Sequence, residues 1–288
     1  MNINIKTQIQ TKAKNFVGEF ESQAKAVAML RNISEATLIN VLKGKWESIS
    51  DDMWRSLGKQ VGYSNSASWN LAETLDFNTL LLFFSDAKDY SNVYGITGPA
   101  GSGKSTIAEY YARVKPNVYH ITCADYFNRK MFLNKLLQAM GKENTGYNVA
   151  EMMDLVVETL MKQDTPLIIL DEADKLNDQV LYFFITLYNM LKGRCGMVLM
   201  ATDFLSKRII RGVKKNMKGY NEIYSRIGRR FIQLHGVSKA EVLKICEANG
   251  IDNAADQNEI YNSCEGDLRR VERSVHKVNV KSKSIKTA

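Results

Sequence analysis

Val93-Tyr-Gly-Ile-Thr97-Gly98-Pro-Ala-Gly-Ser-Gly103-Lys104-Ser105 decides the fold of this chain. The apolar run Val93–Thr97 reads as a strand, and Ser105 to Val114 reads as a helix. Between them lies G-x-x-x-x-G-K-[ST], a loop pattern with a mechanism. Its glycines let the backbone curl until N–H groups face the β- and γ-phosphates of a nucleotide. Lys104 adds a positive charge, the Ser105 hydroxyl suits Mg²⁺, and the helix points its positive end at the anion. The expected nucleotide-binding set is Gly98, Pro99, Ala100, Gly101, Ser102, Gly103, Lys104, Ser105 and Thr106, and the expected cofactors are ATP and Mg²⁺.

Outward from this loop, residues 71–92 read as a connecting helix, and residues 93–236 alternate apolar strands with helices, the pattern of a parallel α/β sheet. The strand candidates are Val93–Thr97, Val118–Thr122, Pro166–Leu170, Met197–Ala201 and Phe231–Leu234. Two strand ends carry chemistry. Leu167-Ile-Ile-Leu170 runs into Asp171-Glu172, a Walker B pattern in which Asp171 joins Ser105 around Mg²⁺ and Glu172 polarises the attacking water. Met197-Val-Leu-Met-Ala201 runs into Thr202, which is placed to touch the γ-phosphate or the lytic water, or else simply caps the strand.

Composition sets the surroundings. The 288 residues include 45% hydrophobic side chains, enough for a core, and point to two domains or one large one. A net charge of +8 invites a polyanionic partner, most often nucleic acid, but a basic solvated surface would give the same number. Cys123, Cys195, Cys246 and Cys264 form no C-x-x-C pair, and only three histidines are present, which argues against a zinc site and a disulfide framework. No signal peptide or membrane-spanning run is read, so a cytoplasmic location in a bacterial host is expected.

Residues 1–19 are polar and basic and are read as a mobile arm. Residues 20–70 read as short helices forming a helix-turn-helix: Glu21 to Leu30, a break, then Ser34 as N-cap for Glu35–Leu42, with Gly44 ending the helix. Ile33, Leu38, Val41 and Leu42 are expected to pack inward. Thr37, Asn40, Lys43 and Lys45 are the candidate DNA contacts of this region, and a plain helical bundle for protein contact is the alternative. Residues 237–278 return to short helices, and residues 279–288 read as a frayed basic tail containing Lys281, Lys283 and Lys286.

Further motifs carry a family resemblance. Ser225-Arg226-Ile-Gly-Arg229-Arg230-Phe231 follows the sheet, and Gly266-Asp-Leu-Arg269 lies in the last helical segment. The order of these with the phosphate loop, Asp171-Glu172 and Thr202 resembles an AAA+ ATPase over roughly residues 80–278. The resemblance implies a helical lid over 237–278 after a sheet domain over 71–236. It also implies an arginine reaching a neighbouring subunit's nucleotide (Arg226, Arg229 or Arg230) and Arg269 touching the γ-phosphate from the lid. Arginine suits both tasks by its fixed charge. AAA+ rings that encircle DNA often present loops after the second strand, here Arg129 and Lys130. A second basic cluster is Lys207, Arg208, Arg211, Lys214 and Lys215. The whole order resembles the ATP-dependent target-selection proteins of transposing phages. That implies an ATP-dependent homo-oligomer on double-stranded DNA, largely non-specific in sequence, that recruits and activates a transposase. The same motifs would serve a helicase loader or replication initiator, or an ATP-switched helix-turn-helix regulator of transcription.

Overall fold

The computed structural model describes residues 1–288 except 19, 21, 48, 64–68, 144, 287 and 288, and for 4 and 283–286 the backbone alone. Glu21, and the side chains of Lys283 and Lys286, therefore lie outside the described residues. The chain divides into two compact units, Met1–Trp69 and Asn70–Ala288.

The first unit is helical: α1 (Ile3–Gly18), α2 (Gln23–Ala28), α3 (Glu35–Leu42) and α4 (Asp51–Gln60). Ser34 caps α3 by accepting the Thr37 N–H at 3.1 Å, and Ser50 caps α4 through Met53 at 3.3 Å. Ile33, Leu38, Val41, Ile49, Trp54, Leu57 and Val61 are buried in one core, while Leu42 is only partly buried at its edge. The expected mobile arm is instead α1. Ile9 and Ala13 are fully buried in the same core, with Ile5, Phe16 and Val17 packed against it. Apolar residues at helical spacing are interleaved with enough polar ones that composition alone hides the stripe. Gln10 Nε2 also donates to the Val41 and Leu42 carbonyls at 2.9 and 3.1 Å, satisfying orphan acceptors at the end of α3.

The second unit begins with α5 (Leu75–Tyr90), then β1 (Val93–Thr97), α6 (Lys104–Val114), β2 (Val118–Thr122), α7 (Arg129–Ala139), α8 (Val149–Met161) and β3 (Leu167–Asp171). After a 3-10 turn at Ala173–Lys175 come α9 (Asp178–Leu191), β4 (Gly196–Ala201), α10 (Asp203–Lys214), α11 (Tyr220–Arg226) and β5 (Phe231–Gln233). The chain ends in α12 (Lys239–Ala248), α13 (Ala254–Cys264) and α14 (Leu268–Lys286). The strands form one parallel sheet in the order β2-β3-β4-β1-β5. This is the expected α/β class.

Strand side chains alternate, so the sheet buries two cores. On one face Phe77, Leu80 and Phe84 of α5 and Ile107, Ala108 and Tyr111 of α6 cover Val118, Leu167, Ile169, Val198 and Met200. On the other, α7 to α11 cover Tyr119, Ile121, Ile168, Leu170, Met197 and Leu199. Thus α5, read as a connector, is a layer of the fold. A Cβ on Gly196 of β4 would stand 2.1 Å from the Ala87 carbonyl oxygen, so this close approach needs glycine.

Ser238 and Glu241 form a capping box that starts α12, and Val242, Ile245, Ile260, Cys264, Val271 and Val275 are buried. The expected frayed tail is a correction: α14 stays helical through Lys286. All four cysteines are buried thiols, and burial pushes Cys195 up to about 12 and Cys246 up to about 11. Among the described residues no helix is long and apolar enough to cross a membrane.

Candidate nucleotide site

In an open parallel sheet, loops at the carboxyl ends of the strands form the crevice where ligands bind. Here β1 runs into the loop Gly98–Gly103 and Lys104 opens α6. Gly101 and Gly103 have positive φ, 75° and 86°, the left-handed turns this curl requires. The Lys104 ammonium is buried and donates to Gly98 O at 2.9 Å, Pro99 O at 2.7 Å and Ser102 Oγ at 3.3 Å. Burial lowers its pKa, opposed by Asp171, Asp174, Asp203 and Asp76.

Asp171, at the end of β3, is almost fully buried. Its Oδ1 accepts the Glu172 N–H at 2.8 Å, while Oδ2 has no hydrogen-bond partner. Burial raises its pKa, but His120, Ser105 and the Glu172 N–H outweigh it and hold the acid below its ordinary value. A carboxylate kept ionised, with an unpartnered buried oxygen and a serine hydroxyl beside it, fits Mg²⁺, which prefers hard oxygen ligands. When bound, the ion would neutralise phosphate charge, with Ser105 and Asp171 holding it.

Glu172 adopts a left-handed φ of 51°, and its Oε2 accepts from Lys175 Nζ at 2.5 Å. The candidate base is thus held in an ion pair one turn along. Thr202 is the N-cap of α10, accepting the Phe204 N–H at 3.4 Å, and its hydroxyl donates to Asp174 Oδ2 at 2.9 Å. Sequence reading missed Asp174, and with it Gln233, which accepts from Thr97 Oγ1 at 2.8 Å and donates to Asp203 Oδ1 at 3.0 Å. These bonds cross-link β1, β5 and the start of α10 beside the phosphate loop.

The C-terminal helices meet the same loop. Leu268 N donates to Gly101 O at 2.9 Å, and a Cβ on Gly101 would fall 2.1 Å from Asp267 Oδ1. Asp267 also accepts the Arg269 N–H at 2.8 Å, so exposed Arg269 leaves the helix one residue beyond the docked amide. Asp76, also missed, is buried and accepts the backbone N–H groups of His235 at 3.0 Å and Gly236 at 2.8 Å. The start of α5 is thereby fastened to the connection between β5 and α12. In the sequence, residues 71–92 read only as a connecting helix, and no local pattern announces a long-range carboxylate.

Of the three finger candidates, Arg226 is turned inward. Its Nη2 donates to Asn189 Oδ1 at 2.8 Å and pairs with Glu222 at 3.3 Å, and the guanidinium lies 5.1 Å from the Tyr188 ring centre. Arg229 and Arg230 are exposed, and Arg229 has a left-handed φ of 56°.

The basic cluster of α10 divides similarly. Lys207, Arg211, Lys214 and Lys215 are exposed. Arg208 is not: it donates to Tyr220 OH at 3.0 Å, Asp174 O at 3.2 Å and Leu176 O at 2.6 Å, and pairs with Asp178 at 2.5 Å. Leu205, Ile209 and Gly212 mark the buried face of α10, and position 208 stands on its shoulder. Arg129 and Lys130 are exposed at the start of α7, where Arg129 reaches Gln179 at 3.3 Å. In the helical unit Lys43 and Lys45 are exposed, whereas Thr37 and Asn40 are half-buried and the Thr37 hydroxyl is bonded to Ser34 Oγ at 2.8 Å.

Residues 88–209, from the end of α5 through most of α10, match the family model described as an AAA domain. This stretch is an AAA domain. It contains the phosphate loop, Asp171, Glu172 and Thr202, and it makes the protein an ATPase. AAA domains in general bind ATP with Mg²⁺. No curated protein matches the chain.

Proposed function

We propose that this AAA ATPase assembles on double-stranded DNA with little sequence preference, as a helical filament or ring with ATP between subunits. In that state it recruits and activates a transposase, in the manner of phage Mu transposition protein B. The observation that carries the reading is the outward face of α10. Lys207, Arg211 and Lys214 are spaced four and three residues apart and are all exposed. At 3.6 residues per turn they form one line of cations about 10 Å long. Duplex DNA presents a charge about every 1.7 Å of axis, so such a line meets several phosphates and no base edge. The helix that carries it begins at Thr202, whose hydroxyl is tied to the turn after Glu172.

Linkage supplies the logic. A nucleotide touched by two subunits favours the assembled state. Neighbours joined in this way engage DNA together, which raises the effective affinity. Exposed Arg229 and Arg230 are the candidates to reach a neighbour's γ-phosphate, and its loss would loosen the array.

Electron microscopy of the full chain with duplex DNA and a non-hydrolysable ATP analogue tests the reading. Ordered arrays that form on unrelated sequences, and that Lys104→Ala abolishes, are expected. Discrete particles at one site, with operator preference of several orders of magnitude, would instead indicate a transcription regulator. Arrays that capture a replicative helicase rather than a transposase would indicate a loader.

A further inference from the structure

His120 is a histidine that neither the phosphate loop nor the strand-end acids account for. It lies on β2, where Tyr119 and Ile121 point into the core under α7 and α8. His120 therefore shares the opposite face with Val118, Leu167 and Ile169, the face that α6 covers. In the β2–β3 register His120 stands opposite Ile169, and Thr122 opposite Asp171. Asp171 is thus the diagonal neighbour of His120 on the side of the sheet where Ser105 lies in the first turn of α6.

The two side chains are 9% and 1% exposed. His120 Nε2 and Asp171 Oδ2 are 3.6 Å apart, and neither atom has a hydrogen-bond partner. That separation is too long for a hydrogen bond. Buried polar atoms are ordinarily satisfied, so two facing each other across a short gap need an explanation, and a carboxylate oxygen has lone pairs for both a cation and a ring N–H. A charge-assisted bond of this kind settles near 2.8 Å, about 0.8 Å closer.

We propose that His120 is a positioning residue for Asp171. Its Nε2–H donates to Asp171 Oδ2 when a nucleotide and its divalent cation are bound, and this bond fixes the carboxylate that faces the cation. The inference rests on Asp171 serving the cation, and it adds a residue from a neighbouring strand. Partners of this type orient a ligand without touching the ion.

The test measures affinity rather than turnover. ADP is titrated calorimetrically into the full chain with Mg²⁺ and with EDTA, and the ratio of the two affinities is the gain due to metal. His120→Phe is expected to reduce that gain about tenfold while leaving the EDTA affinity unchanged. His120→Gln, which places an N–H donor at similar reach, is expected to restore it, and His120→Asn, which is too short, is not. This pair keeps the inference testable if the Phe variant fails to fold.

Asp171→Asn separates the two levels. If it loses the gain while His120→Phe and His120→Asn keep it, the role of His120 is overturned and that of Asp171 stands. If Asp171→Asn keeps the gain, the underlying assignment fails. An equal loss with Mg²⁺ and with EDTA in His120→Phe would make the residue merely structural and overturn the proposal.

Discussion

Arg208 and Lys207 are neighbours in sequence and alike in charge, yet the structure gives them opposite consequences. Arg208 makes three hydrogen bonds and one ion pair inside the domain, and its side chain is 22% exposed. Charged hydrogen bonds contribute about 1.5–3 kcal/mol each but do not add. Removing Arg208 also leaves Asp178 and two carbonyls without it, so Arg208→Ala should cost about 3 kcal/mol. For a domain of about 150–250 residues that is a fall of roughly 6–12 °C in melting temperature. Lys207→Ala, Arg211→Ala and Lys214→Ala should each change stability by no more than about 0.5 kcal/mol. On duplex DNA the pattern reverses. Each outward cation contributes about 0.9 to the slope of log affinity against log salt, so the triple variant should flatten it by about 2.7. Arg208→Ala should leave the slope of the folded protein unchanged. Thermal melts and fluorescence anisotropy over a salt series measure the two quantities. A stable Arg208→Ala variant with a flattened salt slope would refute the inward orientation and the reasoning built on it.

Other outcomes follow from the same geometry. Lys175→Ala should free Glu172 from its ion pair and raise basal ATP turnover severalfold, whereas Glu172→Gln should bind ATP but hydrolyse it at least about a hundredfold more slowly, both read by phosphate release. Arg229→Ala and Arg230→Ala should melt like the parent and lose the rise of specific activity with protein concentration. Arg226→Ala should instead lower the melting temperature, because it empties a site lined by Asn189, Glu222 and Tyr188. The pH dependence of stability has a definite sign at Asp178. Burial raises its pKa, but Arg208 and Tyr220 outweigh this, so the folded value lies below the unfolded one. Its contribution is therefore full above the ordinary carboxylate range and is lost as pH falls through the depressed folded value. Denaturant midpoints between pH 6 and 3 should show this acid limb shrinking in Arg208→Ala.

What the sequence revealed followed from local rules. The phosphate loop, the strand runs and the Ser34 cap each depend on residues close in the chain, and the strand ends fell within a residue of their observed places. The failures share a cause. A helix with a stripe as narrow as Ile5, Ile9 and Ala13 reads as a polar arm until something is known to lie against it. Arg208 and Arg226 look like surface cations because charge is visible in sequence and orientation is not. His120 had a local signal, the strand alternation that sets it opposite Tyr119 and Ile121, but its significance depends on a neighbour on β3 some fifty residues away. Asp76 had none, since its partners are backbone groups beyond the end of the sheet.

The bond from Leu268 N to Gly101 O ties the phosphate loop to the first turn of α14, the longest helix among the described residues. At 19 residues, α14 is a rod of about 28 Å. A tilt of about 10° at the docked end would carry the far end through about 5 Å, the height of one helical turn. Because Val271 and Val275 of α14 are buried and the helix packs on α12 and α13, such a tilt would carry those helices with it. One backbone bond at Gly101 thus joins the phosphate loop to a bundle of three helices, through the first turn of the one that packs on the other two.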